Sequence, residues 1–347
     1  MSGDRVRVGQ VGMGWFGRIH ASTWLAVPEV ELVGVCDRDQ SLLATGSHQA
    51  AQSSFHIEAA DGDFALPGSV QRHLDVDELI ASGIDVLDVV TDEIAHADLV
   101  RRGLQAGVHV VVEKPVALTA PEVRELVALA ERQDRHLYAG QVLRFDTRHV
   151  TVAGRLRRAE LRHLSLQRNF QRSAHDVYGR VHPALGAMVH DIDLAHWYVG
   201  RRPVAASAFS SSFFGQQHPD VLDVVLHWEN GLRAVIQNSW HLAPSCPYGF
   251  EFECKVQSES TTFVIRNEPD VQVWDANGVT SPEMHFWPSS HGQRTGALRL
   301  ELEHFARCAG SGLPSDRVPL EQVVWTAEVA EAVLAALDRP GQGPVEL

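Results

Sequence analysis

A chain of 347 residues exceeds one ordinary domain and favours two. Its 44% hydrophobic content is enough for genuine cores, but no apolar run approaches the ~18 residues of a membrane helix, and the charged opening MSGDRVRVGQ lacks the apolar centre of a signal peptide. A formal charge of −14 argues against a phosphate-tracking nucleic-acid surface, and four cysteines (Cys36, Cys246, Cys254, Cys308) without a CxxC pair fit reduced thiols in a cytoplasm. Residues 1–145 alternate apolar strands with helical patterns, which predicts a doubly wound parallel sheet of βαβ units. Strands are expected at 5–11, 31–36, 84–90, 108–112 and 136–142, and helices at 15–25, 41–52, 94–107 and 121–135. Residues 56–72, rich in Gly, Asp, Ser and Ala, read as a loop.

After Arg144 the pattern changes. Alternating strands at 161–170, 204–212, 221–228, 231–239, 249–256 and 261–266 predict an open, mostly antiparallel sheet. One helix stands apart at 185–199, and helices at 294–309 and 319–338 follow, the last placed to pack back on the first half. The fold class is therefore α/β: a Rossmann domain over 1–145, then an α+β domain over 146–347.

Gly12-Met13-Gly14-Trp15-Phe16-Gly17 is a G-x-G-x-x-G sequence between a strand and a helix. Gly12 permits a tight turn, Gly14 admits a pyrophosphate to the backbone, and Gly17 lets helix and strand pack closely. The helix N-terminus offers N–H groups and partial positive charge to the phosphates. Asp37, twenty positions after Gly17 at a strand end, can accept hydrogen bonds from both adenosine ribose hydroxyls and repels a 2′-phosphate. NAD is favoured, with NADP the alternative. Arg38 suits stacking on adenine, pairing with a 2′-phosphate, or a solvated surface charge. Glu113-Lys114-Pro115 ends a buried parallel strand, on the rim where open α/β sheets bind ligands. A lysine there can stabilise a developing alkoxide.

In order, GxGxxG, Asp37, Thr91 and His96, Glu113-Lys114-Pro115, Arg144-Phe145 and His190-Asp191-Ile192-Asp193 resemble the glucose–fructose oxidoreductase/inositol dehydrogenase/rhizopine-catabolism (Gfo/Idh/MocA) family over nearly the whole chain. The resemblance implies an enzyme that uses NAD or NADP to oxidise or reduce sugars, cyclitols and related polyols, assembled as a homodimer or homotetramer. It implies that Lys114 contacts substrate and cofactor, and that its bond to Pro115 is cis. Thr91 and His96 would line the nicotinamide pocket, and Trp15, Phe16 and Glu113 would join the cofactor set. Arg144 would lie near the active-site floor, and Asn169, with Gln167 on the same strand face, would meet substrate. Position 92 is Asp where the family often has Pro.

The family's second-domain motif places an aspartate four positions before a histidine, one helical turn away. Here His190 is present but Gly186 takes the aspartate's place, so His190 alone or Lys114 would exchange the substrate proton. A structural histidine is the plain alternative. His190, Asp193 and His196 converge poorly on one helix face, so no metal is expected. Residues 171–182, rich in Arg and His, suit an anionic substrate group or a solvated loop. Two rival functions stay open: elimination or glycoside cleavage through transient oxidation, and a dinucleotide-binding sensor without catalysis.

Overall fold

The computed structural model describes residues 5–44, 65–174, 179–247, 249–267, 270–276, 278–339 and 341–347. The chain forms two compact units: the first runs to Asp146 and takes up Met284–Leu320 again, and the second holds Thr147–Glu283 and Glu321–Leu347.

The first unit opens with strand β1 (Val6–Val11), helix α1 (Trp15–Trp24) and β2 (Val30–Cys36). Beyond β2 a short 3₁₀ turn, Gln40–Leu43, is capped by Asp39; the rest of the helix expected at 41–52, and residues 56–64 of the expected loop, lie outside the described residues. Next come β3 (Gln71–His73), α2 (Val76–Ala81), β4 (Val86–Val89), α3 (His96–Gln105), β5 (His109–Val112), α4 (Ala120–Arg132) and β6 (Leu137–Ala139). The six strands are all parallel, in the order β3-β2-β1-β4-β5-β6. β4 and β5 are buried on both faces and apolar apart from Asp88 and His109, and Val86, Leu87, Val89 and Val110 are fully buried. Two elements escape periodicity. β3 is a three-residue polar edge strand, and α2 is too short to repeat a pattern, its start set by the Asp75 side chain accepting from the Asp77 N–H.

The second unit begins with α5 (Thr147–Arg155) and β7 (Leu161–Gln171). The helix expected over 185–199 is two pieces: a single turn α6 (Pro183–Gly186) and α7 (Val189–Val199), separated at Ala187 and Met188. His182 caps α6, with Pro183 at its first position. Strands β8 (Ala205–Ser211), β9 (Val221–His227), β10 (Arg233–Leu242), β11 (Phe250–Ser258) and β12 (Thr262–Arg266) follow, then the hairpin β13 (Val273–Asp275) and β14 (Gly278–Thr280). The main sheet has the order β12-β11-β7-β10-β9-β8-β17, β17 being Val345–Glu346. It is antiparallel except for β7 and β10, which run parallel. Everything from α6 to β9 lies between those two strands and supplies the crossover that parallel pairing needs. Leu222, Val224 and Leu226 of β9 alternate with half-buried neighbours, so one face of the sheet is dry, and α7 packs against β7 and β10.

The return to the first unit is made by the hairpin β15 (Ser289–Ser290) and β16 (Gln293–Arg294) and by α8 (Ala297–Ser311). The final helix, α9 (Leu320–Leu337), belongs instead to the second unit, where His196 Nε2 lies 2.8 Å from Thr326 Oγ1. No helix among the described residues is long and apolar enough to cross a membrane.

Candidate active site

β1 ends in the glycine turn. Gly12 has φ +100°, and a side chain there would overlap the Val90 carbonyl of the neighbouring strand. Gly17 faces the Gly12 carbonyl so closely that any Cβ would overlap it, which fixes how near α1 approaches β1. Buried Gln10 clamps the turn, its Nε2 donating to Gly12 O at 2.9 Å and Gly17 O at 2.7 Å. A Cβ on Gly14, by contrast, would meet nothing within 4 Å. The start of α1 carries no side-chain cap and no acidic residue, so its N–H groups and dipole are left to an anion. These features fit the pyrophosphate of a dinucleotide.

Asp37 follows β2, its Oδ2 accepting from Met13 N at 2.7 Å and its Oδ1 from Asp39 N at 2.9 Å. Each oxygen keeps a lone pair for a ribose hydroxyl. Arg38 is 91% exposed and only 3.8 Å from Asp92, a surface pair of little energy. Trp15 and Phe16 are half-buried and gather on Trp287, at 6.4 and 5.2 Å between ring centres. Trp287 was not anticipated; nothing in its local sequence ties it to the glycine turn.

At the end of β4, Thr91 is half-buried and its hydroxyl donates to Asp92 O at 3.3 Å. His96 is 1% exposed, its Nδ1 2.7 Å from Pro115 O and its Nε2 3.1 Å from Thr91 O. It lies between the end of β4 and the residue after Lys114, a bracing position. Lys114 is half-buried, and its bond to Pro115 is cis. Arg144 is buried in a 3₁₀ turn, with Nη1 donating to Arg317 O at 3.1 Å.

Glu113, expected in the cofactor set, turns into the interior instead. Its Oε1 lies 3.4 Å from His20 Nε2, and its Oε2 accepts from Lys114 N at 3.2 Å. His20 Nδ1 is 3.0 Å from Asp88 Oδ2, which also accepts from Trp24 Nε1 at 2.7 Å. Burial alone drives His20 towards neutrality, but the two carboxylates outweigh it and raise its pKa to about 10. Burial likewise opposes charge on Glu113, yet His20 and Lys114 hold its carboxyl below the usual range. Glu301 of α8 is fully buried behind this group; burial and the Glu113 charge push its pKa well up. Two signals could have exposed the cluster: Asp88 interrupts the apolar run IDVLDVV, and Glu301 shares a helical stripe with Leu298, Leu302 and Phe305.

In the second unit, His190 is half-buried in the first turn of α7. Gly186 lies in the preceding turn, so the two positions belong to different pieces of helix. Beside His190, Asp191 meets Arg168 of β7 in a buried bidentate pair at 2.8 and 3.0 Å. Asn169 is the next residue, so by the pleat it points to the other sheet face, where it donates to Glu251 Oε2 at 2.9 Å. Gln167, half-buried, shares that face. The strand therefore turns Arg168, rather than Asn169, towards α7. Asp193 and His196 converge on Thr326, at 3.3 and 2.8 Å, and among the described residues no group of three or more His, Cys, Asp or Glu is placed to hold a metal. Within the segment 171–182, Arg172 lies over the Phe214 ring at 4.3 Å; residues 175–178 lie outside the described residues.

Comparison with known proteins agrees with this arrangement. A family model described as "Oxidoreductase family, NAD-binding Rossmann fold" matches residues 6–141, and the GFO/IDH/MocA C-terminal domain matches 152–260. Myo-inositol dehydrogenase Hyg17 of Streptomyces leeuwenhoekii is 34% identical, over 83% of this chain and 90% of that protein. D-apiose dehydrogenase of Paraburkholderia graminis is 29% identical over 66% of this chain and 59% of its own length. Among solved structures, GenD2 from gentamicin A biosynthesis in complex with NAD superposes with a TM-score of 0.79 at 19% identity, over 100% of this chain and 97% of that one. The chain belongs to the Gfo/Idh/MocA family of oxidoreductases, whose Rossmann domain binds NAD.

Proposed function

We propose that this enzyme transfers a hydride between nicotinamide and a carbinol or keto carbon of a cyclitol, sugar or related polyol, with NAD preferred over NADP. The observation that carries the reading is the Asp37 carboxylate beside a glycine turn whose Gly14 backbone stands open. That carboxylate accepts from a ribose diol and repels a 2′-phosphate. The relatives named for inositol and apiose support the substrate class. Bound NAD supplies the hydride acceptor or donor. Lys114 polarises the substrate oxygen as a cation, and His190 exchanges the hydroxyl proton. The assembly is a homodimer or homotetramer, and the four free cysteines suit a reducing cytoplasm.

A panel of cyclitols, sugars and their keto forms, followed by NADH absorbance with each cofactor, tests the reading. At least one member should reduce NAD faster than NADP. His190→Asn should slow that reaction while leaving NADH affinity within about threefold. Product formed without net NADH would replace the reading with transient oxidation, and NADH binding without turnover of any member would replace it with a sensor.

A further inference from the structure

We propose that Asp88, His20 and Glu113 form a buried chain that positions Lys114 and sets its charge, with His20 holding the Glu113 carboxylate against the Lys114 backbone. The inference rests on the reading of Lys114 as the group that polarises the substrate oxygen.

The chain crosses three elements. It starts at Asp88 in the middle of β4, fixed by the Trp24 indole, passes through His20 in the second turn of α1, and ends at Glu113, whose other oxygen takes the Lys114 N–H. Asp88, His20 and Glu113 are all buried, so neither water nor salt screens them. Room for the Glu113 carboxylate comes from Gly140, where a Cβ would stand 2.8 Å from Oε1. The titratable residues facing Glu113 are His20 from α1, Glu301 from α8 and Lys114 itself, with Asp88 of β4 on the other nitrogen of His20. His20 lies between the Asp88 and Glu113 carboxylates, two acids to one imidazole, and Glu113 is the member of the three that touches Lys114.

Composition sharpens the point. The sequence holds 28 arginines but only two lysines, Lys114 and Lys255. Everywhere except at Lys114 and Lys255 the cation of this chain is arginine. Lysine differs in responding to neighbouring charge and in being able to lose its proton. A carboxylate fixed next to Lys114 keeps the ammonium charged and aimed, and His20 keeps that carboxylate charged.

The scarcity of lysine makes a direct test possible. Reductive ¹³C-methylation of the full chain labels two lysines and the N-terminal amine, and Lys114→Met assigns the resonance. In Glu113→Gln, which preserves shape, the Lys114 signal should titrate about one unit lower while Lys255 is unmoved. His20→Gln and Glu113→Gln should each lower kcat about tenfold or more with NADH affinity within about threefold. In a Lys114→Met background neither should lower kcat further. An unmoved Lys114 titration, or an equal loss of kcat in the Lys114→Met background, overturns the proposal. If Glu113→Gln does not fold, the His20→Gln and Lys114→Met pair decides it. Should Lys114→Met itself keep wild-type turnover, the reading of Lys114 fails, while the titration still reports whether Glu113 and Lys114 are coupled.

Discussion

Arg168 in the second unit meets one carboxylate, Asp191, through two hydrogen bonds, with the Phe250 and Phe252 rings on it at 5.8 and 5.7 Å. His20 in the first unit lies between two carboxylates, with a third behind them. The first arrangement closes on itself: charges match one to one, donors and acceptors are satisfied, and little field escapes. The second is over-supplied with acid, and its excess reaches outward. A matched pair serves packing; an unmatched cluster acts on a neighbour, and here the neighbour is Lys114.

The largest effect should come from breaking the matched pair. Arg168→Leu leaves Asp191 buried without its cation and should cost about 3–5 kcal/mol in denaturant unfolding. Adding Asp191→Leu should recover most of that loss, and a failure to recover would show the site needs charge for more than packing. Next comes the neighbour of the unmatched cluster. Lys114→Met should cut turnover about 100-fold, equivalent to about 3 kcal/mol, with NADH affinity changed only a few-fold. Unchanged turnover would remove Lys114 from the chemistry.

Much of the fold was legible in the residues. Apolar runs marked five of the six parallel strands, all but the polar β3, and the glycine turn, Asp37 and Lys114 stood out because their patterns depend on neighbours in sequence. What stayed hidden depends on neighbours in space. His20 and Asp88 are 68 positions apart and meet only when α1 lies on β4. His96 shows in sequence nothing of the two carbonyls, of Pro115 and Thr91, that its ring lies between. Period-two alternation in β7 gives two faces without saying which one a helix covers, so Asn169 and Arg168 could be told apart only by the packing of α7.

A smaller effect concerns Asp37. Asp37→Ala should narrow the preference for NAD over NADP about tenfold, as ratios of kcat/KM. It should also lose about 1 kcal/mol of stability, because Met13 N loses its acceptor. A narrowed preference without a stability loss would separate the two tasks of this carboxylate.

The smallest effects are pH-dependent and run in opposite directions. His20 has a raised pKa, so its contribution to stability is complete below 6.5 and fades as pH climbs towards about 10. His182 has its pKa lowered to about 4 by burial and by His218, so the unfolded chain takes up the proton first and stability falls as pH drops from 6.5 towards 4. Hydrogen exchange read separately in each unit should show His20→Gln flattening the alkaline loss in the first. His182→Asn, which can still cap α6, should flatten part of the acid loss in the second. Swapped responses would mean the two histidines are wrongly assigned to these slopes.

The recurrence of the first unit at Met284–Leu320 has a consequence for synthesis. Tyr138 and Phe145 are buried against Phe305, the Tyr138 hydroxyl donates to Leu313 O at 2.9 Å, and Glu301 lies behind Glu113. All of these partners leave the ribosome after residues 147–283, so the six-stranded sheet is finished long before its cover exists. During that interval the emerging sheet must keep Tyr138 and Phe145 from other chains. A chain stopped after Asp146 should therefore aggregate, and one with residues 284–320 joined on by a flexible linker should stay in solution.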